Sequence, residues 1–322
     1  MATTDIQIPL ADVRQIYCVA DVERAIDDTP ASRSDTLCAT YEKMKKLGGD
    51  RYLIKPSSTE AFDSLYDDCP NFAEVIDDLK KYLALAISGN EPVHFTPMLL
   101  LGEPGIGKTH FAKCLSESLG TGYEFVSMSS MTAGWILSGA SSQWTSAKAG
   151  KVASTLIHGE YANPLIVLDE VDKAGGDSRY DPMGSLYSLL ERDTSRKFKD
   201  EFVEVDIDAS HILWVSTAND ERSLPDPILN RMNVYTIPRP DAAQAFVIAS
   251  RLYREILAEH HWGFDQEPPA EVMEALADLP PRDMRKRLMT GFGNAKLAGR
   301  DHLTTKDLEN PRVAKGRNKI GF

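Results

Sequence analysis

The chain has 322 residues, 42% of them hydrophobic and 26% charged, with a formal net charge of −12. Its length suits one large or two to three small domains with a sizeable core, and its acidity repels nucleic acid and anionic membrane except at a local basic patch. Four scattered cysteines (Cys18, Cys38, Cys69, Cys114), seven histidines without metal-ligand spacing, no signal-peptide layout and no apolar run of bilayer length point to a soluble cytoplasmic protein with reduced thiols.

Residues 1–70 read as a polar, helical N-terminal segment, with helices expected near Leu10–Ile26 and Ser34–Leu47 and a turn-rich stretch from Gly48 to Ser58. No chemistry is written there, and a small helical domain or an oligomerisation arm is the expectation. The pattern changes over residues 71–240. Phe72, Val75, Ile76, Leu79, Tyr82 and Leu83 recur at helical spacing. Short apolar runs follow at Met98–Leu101, Leu165–Leu168 and Ile212–Val215. Such runs, bounded by turn residues and separated by helical stretches, are strands buried on both faces of a parallel sheet, so the fold class is a three-layer α/β/α sandwich. Residues 241–322 show amphipathic helices through Phe246, Ala249, Leu252, Tyr253, Ile256 and Leu257, then Val272, Leu276, Met284 and Leu288. They predict a small helical lid domain, ending in a solvated tail with Arg312, Lys315, Arg317 and Lys319.

Between the first apolar run and a helix lies Gly102-Glu103-Pro104-Gly105-Ile106-Gly107-Lys108-Thr109, a GxxxxGK[ST] pattern. Its glycines let backbone N–H groups turn inward around phosphate oxygens at the N-terminus of the helix that continues through His110. Lys108 is placed to reach the β and γ phosphates of ATP, and Thr109 to ligate Mg²⁺. The second run ends in Asp169-Glu170, which sets two carboxylates at the C-terminal edge of the sheet. Asp169 is expected to hold the metal, and Glu170 to polarise the attacking water. The third run leads into Thr217-Ala218-Asn219, where the Asn219 amide can donate to the γ-phosphate or position the water. Arg231, closing Pro227–Met232, sits at an expected surface corner, where a guanidinium can act in trans on a transferring phosphoryl group. Arg282 opens a helix of the lid and can touch the phosphates in cis, with Arg285 and Arg287 close by in sequence.

In this order the motifs resemble those of AAA+ ATPases, and within them the ATPase module of Lon proteases. Asp77–Ala86, Tyr180–Leu186, Phe202–Val205 and Leu224–Met232 carry the resemblance, which covers about residues 70–310. It implies a homo-oligomeric ring, usually a hexamer, with ATP at subunit interfaces and Arg231 acting on the neighbour's nucleotide. It also implies an aromatic loop that grips an extended polypeptide; that loop falls within Gly134–Lys151, with Trp144 favoured over Trp135. The chain stops where a serine–lysine peptidase domain would begin, and the long N-terminal region of Lon has no counterpart. The expectation is therefore ATP-driven protein unfolding or remodelling without a protease of its own. A DNA-associated loader or defence motor and a slow nucleotide switch are the alternatives.

Overall fold

The computed structural model describes residues 10–28, 35–130, 135–144, 147–174, 181 and 183–309. The tail with Arg312, Lys315, Arg317 and Lys319 lies outside the described residues, as do Gly134, Thr145, Ser146, Tyr180 and Pro182 from the stretches quoted above. Two compact units emerge: one drawn from Met1–Asp63, Glu74–Gly102 and Lys108–Thr236, the other from Ser64–Ala73, Glu103–Gly107 and Ile237–Phe322.

The first unit is built on a five-stranded parallel sheet. Its strands are β3 (Met98–Leu101), β4 (Tyr123–Ser127), β5 (Leu165–Asp169), β8 (Leu213–Ala218) and β9 (Asn233–Thr236), in the spatial order β4-β5-β8-β3-β9. The three central strands are the three apolar runs of the sequence. β8 is buried along its whole length, and β3 and β5 are buried except for their last residues. That burial follows from helices covering both faces of a parallel sheet. The edge strands β4 and β9 alternate between covered and exposed residues, and for that reason they do not stand out as apolar runs. An antiparallel pair, β6 (Phe198–Lys199) with β7 (Asp206–Ile207), lies outside the main sheet.

The N-terminal segment departs from the expected, mostly helical reading. Helices form at Val19–Asp27 and Asp35–Leu47, but residues 10–15 are strand β1, paired antiparallel with β2 (Asp50–Lys55) inside the expected turn-rich stretch. The two strands are separated by both helices, so their pairing is non-local and leaves no periodicity within either one. Gly48, at φ 69°, ends the second helix in the left-handed conformation that a side chain disfavours. Nor is this segment an independent body. Ile16, Tyr17, Val22, Leu37, Tyr41, Met44 and Leu53 share one apolar core with Leu99, Ile166 and Trp214. Buried Arg51 stitches it further, donating through Nε to the Leu156 carbonyl at 2.9 Å and through Nη2 to that of Ile157 at 2.6 Å.

The second unit contains helices Ala242–Glu259, Ala270–Glu274 and Pro281–Leu297 and a short turn at Thr305–Leu308, with no strand among its described residues. Asp241 and Gln244 form a reciprocal capping box that starts the first of these helices. In its core Phe292 packs tilted against Tyr253 and edge-on against Phe264, at ring distances of 5.2 and 4.8 Å. Asp307 fixes the C-terminal turn: it accepts from Arg300 Nη1 and Nη2 at 2.8 and 2.6 Å and from the Thr304 N–H and hydroxyl at 2.8 Å each. The adjacent guanidinium and the Thr304 donors hold its carboxyl well below the usual carboxylate range.

Because the folded-state value is depressed, this stabilisation is complete above about pH 4, the unfolded-state value, and is lost as the pH falls below it. Asp307→Ala is expected to lower unfolding stability by about 2 kcal/mol near neutral pH. Urea titrations at several pH values check it, and the gap between variant and parent should close in acid.

Candidate nucleotide-binding site

Polar chemistry in the first unit gathers at the C-terminal ends of three neighbouring strands, β5, β8 and β3. Along these strands both faces are covered, so a charged side chain is tolerated only where the strand runs out. The connections from β3 to β4 and from β8 to β9 also leave this point in opposite directions across the sheet. That is the switch point where open α/β sheets bind ligands.

Five of the expected residues, Gly102, Lys108, Thr109, Asp169 and Asn219, meet here. Lys108 begins the helix Lys108–Leu119, and its ammonium donates to the Gly102 carbonyl at 2.6 Å and to Asn219 Oδ1 at 3.0 Å. Thr109 lies one position further on and donates its hydroxyl to Asp169 Oδ1 at 2.7 Å. Burial pushes the Lys108 amine below its ordinary value, while the negative charges of Asp172, Asp169 and Glu170 act in the opposite direction. A buried ammonium among carboxylates at a strand edge is an arrangement that suits phosphate oxygens.

Glu170 follows directly in the left-handed region, at φ 56°. For a non-glycine residue this backbone is uncommon and costs about 1–3 kcal/mol, and it turns the chain sharply out of β5 into the turn Val171–Lys173. Thr217 holds that corner. Its hydroxyl donates to Asp169 Oδ1 at 2.8 Å and accepts the Glu170 N–H at 2.9 Å. Within the third motif the sequence reading singled out Asn219 and passed over Thr217, because a buried threonine in a strand carries no signal of its own. Asp172 was missed as well. Its side chain is 0% exposed, and neither oxygen has a hydrogen-bond partner among the described residues, although the Lys173 ammonium lies 3.4 Å away.

The loop between Gly102 and Lys108 falls in the second unit and is fixed there by its own neighbours. Gly105 and Gly107 adopt φ of 82° and 105°, backbone that other residues rarely enter. Asn71 donates to the Ile106 carbonyl at 3.4 Å and to that of Pro238 at 3.2 Å, and Arg239 Nε donates to Glu103 at 2.7 Å. The Arg282 N–H points at the Gly105 carbonyl, 3.4 Å away, and a Cβ added to Gly105 would come within 3.3 Å of Arg282 Cβ. Arg282 is therefore beside the glycine loop. Arg285 instead pairs with Glu259 at 2.6 Å, and Arg287 donates to the Leu308 carbonyl at 2.8 Å. Pro104 precedes Gly105 in the same turn. His110 contacts Cys114 Sγ at 3.3 Å, one turn along its helix.

Two expected residues stand apart from this cluster. Arg231 lies at the end of the short helix Asp226–Leu229 and pairs with Glu191 at 2.6 Å. Trp144 is 52% exposed and packs edge-on against Trp135, with ring centroids 5.5 Å apart.

The converging Thr109 and Asp169 oxygens fit a hard divalent cation, which takes oxygen ligands, and the positive-φ glycines followed by Lys108 fit a polyphosphate. The architecture defines a P-loop α/β fold, with Gly102 and Lys108 at the sheet's switch point. Residues 98–238 match the AAA family, the ATPase family associated with various cellular activities. The chain is 33% identical over 162 residues to Lon protease of Porphyromonas gingivalis, covering 50% of this chain and 19% of that protein. It is 30% identical over 272 residues to Lon protease of Wolbachia pipientis, covering 84% of this chain and 33% of that protein. It thus spans about one fifth to one third of the length of these relatives. A variant of RuvB from Thermotoga maritima shares the fold with a TM-score of 0.50 at 16% identity, over 79% of this chain and 70% of that one. Residues 98–238 thus carry an AAA domain, and the similarity to Lon proteases is consistent with a Lon-like AAA+ ATPase module.

Thr217→Val removes the hydroxyl at constant shape and leaves the half-buried Glu170 N–H without that acceptor. A loss of about 1–3 kcal/mol in unfolding stability is expected, read from chemical denaturation.

Proposed function

We propose that the chain hydrolyses ATP to ADP and phosphate as one subunit of a ring, a hexamer by preference, and uses the cycle to unfold or remodel protein. The observation that carries this reading is the hydrogen-bonded set Lys108, Thr109, Asp169, Glu170, Thr217 and Asn219 at adjacent strand ends. The backbone N–H groups of Gly102–Lys108 and the Lys108 ammonium bind the phosphates. Asn219, already bonded to Lys108, orients that ammonium and exchanges its partner for the γ-phosphate or the water. Glu170, held out of line by the Thr217 hydroxyl, polarises the attacking water. Thr109 and Asp169 are the residues that would hold Mg²⁺, which when bound supplies positive charge to the phosphate oxygens. Arg282 touches the phosphates in cis, and Arg231 acts on the nucleotide of the next subunit. Trp144, with most of an aromatic face open to solvent, contacts the extended polypeptide. The DNA-contact alternative loses support because Arg285 and Arg287 are engaged within the second unit.

Lys108→Ala is expected to abolish ATP binding, whereas Glu170→Gln should keep binding and lose turnover by about 100-fold or more. Titration of a fluorescent ATP analogue and phosphate release measure the two. Specific activity should rise with protein concentration as a ring-sized species appears in solution. A flat specific activity from a monomer would sink the ring, and undiminished hydrolysis by Glu170→Gln would remove Glu170 from its role.

A further inference from the structure

Arg231 is not an ordinary surface arginine. Its Nη1 donates to the Pro227 carbonyl at 2.5 Å, its Nη2 to Glu191 Oε1 at 2.6 Å, and its guanidinium carbon lies 5.9 Å from the Tyr187 ring centroid. Nε is enclosed with no hydrogen-bond partner among the described residues, and the side chain is only 26% exposed. By contrast Arg222, which pairs with neighbouring Asp220, is 87% exposed. An exposed arginine loses rotamer freedom when pinned and gains little in return. One fixed at three points, with a buried nitrogen left unpaired, has an orientation imposed by its surroundings. The guanidinium carries five N–H donors. Nη1 and Nη2 each give one to a fixed partner and Nε is closed off, which leaves one donor on each terminal nitrogen for an incoming anion.

Glu191 is itself well held. It follows buried Leu189 and Leu190, its backbone is extended, and its carbonyl accepts the Ser195 N–H at 3.0 Å as the next short helix begins. Its main chain is therefore fixed, and its carboxylate reaches from that point to an arginine with four rotatable bonds. We infer that Glu191 is a positioning residue for Arg231, clamping the guanidinium so that its remaining terminal N–H donors are aimed at a phosphate of the neighbouring subunit. The inference rests on reading Arg231 as a group that acts in trans.

The test is turnover by Glu191→Ala and Glu191→Gln at concentrations where rings form, alone and mixed with Glu170→Gln subunits. Alone, Glu191→Ala should lose about 10- to 100-fold in kcat, with ATP affinity and melting temperature unchanged. Glu191→Gln, which keeps an acceptor oxygen for Nη2, should lose less. Mixing with Glu170→Gln subunits should restore activity to both, because those subunits lend a correctly held Arg231 to intact neighbouring sites. A defect confined to the subunit's own fold would not be restored in this way. Full kcat in Glu191→Ala overturns the inference. So does a loss that Glu170→Gln subunits fail to restore while restoring Arg231→Ala, and in that case Arg231 keeps its trans role. If Arg231→Ala is not restored either, the trans reading fails and the role of Glu191 falls with it.

Discussion

Asp169 Oδ1 receives two hydroxyls, from Thr109 at 2.7 Å and from Thr217 at 2.8 Å, and these belong to two different motifs on two different elements. One carboxylate oxygen thus ties the helix after the glycine loop to the end of β8 through the end of β5. This knot depends on a prior constraint, the burial of β3, β5 and β8 on both faces. Nothing charged can sit along those strands without an uncompensated desolvation cost. Charge is therefore driven to the strand ends, and the parallel direction brings all the C-terminal ends to one edge.

The electrostatics of that edge are organised around a single buried cation. Lys108 is only 8% exposed and lies among the charges of Asp169, Glu170 and Asp172. Burial weakens its ammonium form, and the three carboxylates support it. Its ammonium donates to neutral oxygens of Gly102 and Asn219. Phosphate oxygens are stronger acceptors than either. The left-handed backbone at Glu170 belongs to the same corner, because it turns the chain sharply out of β5.

Two further features are local to other parts of the chain. In the helical unit, Asn71 and Arg282 pin the glycine loop from carbonyls outward, so loop conformation is set by neighbours as well as by its glycines. In the α/β unit, Glu191 and Pro227 hold the Arg231 guanidinium from two sides.

The sequence by itself determined the loop, the two carboxylates, Asn219 and the central strands, because each is a contiguous pattern whose meaning is set by neighbours in the chain. A glycine loop before a lysine, or an apolar run ending in acid, has only a few structural solutions. The C-terminal helices were legible for the same reason, through their 3.6-residue period. Only the tertiary structure decided the rest. β1 and β2 pair across two intervening helices, the edge strands lack a full apolar run, and Arg51 is buried by carbonyls more than a hundred residues away. Thr217, Asp172, Asn71 and Glu191 acquire their roles from partners distant in sequence, except where Asp172 meets adjacent Lys173. A hydroxyl, a carboxylate or an amide looks the same in any sequence; what it does is fixed by which donor or acceptor the fold leaves within 3 Å of it.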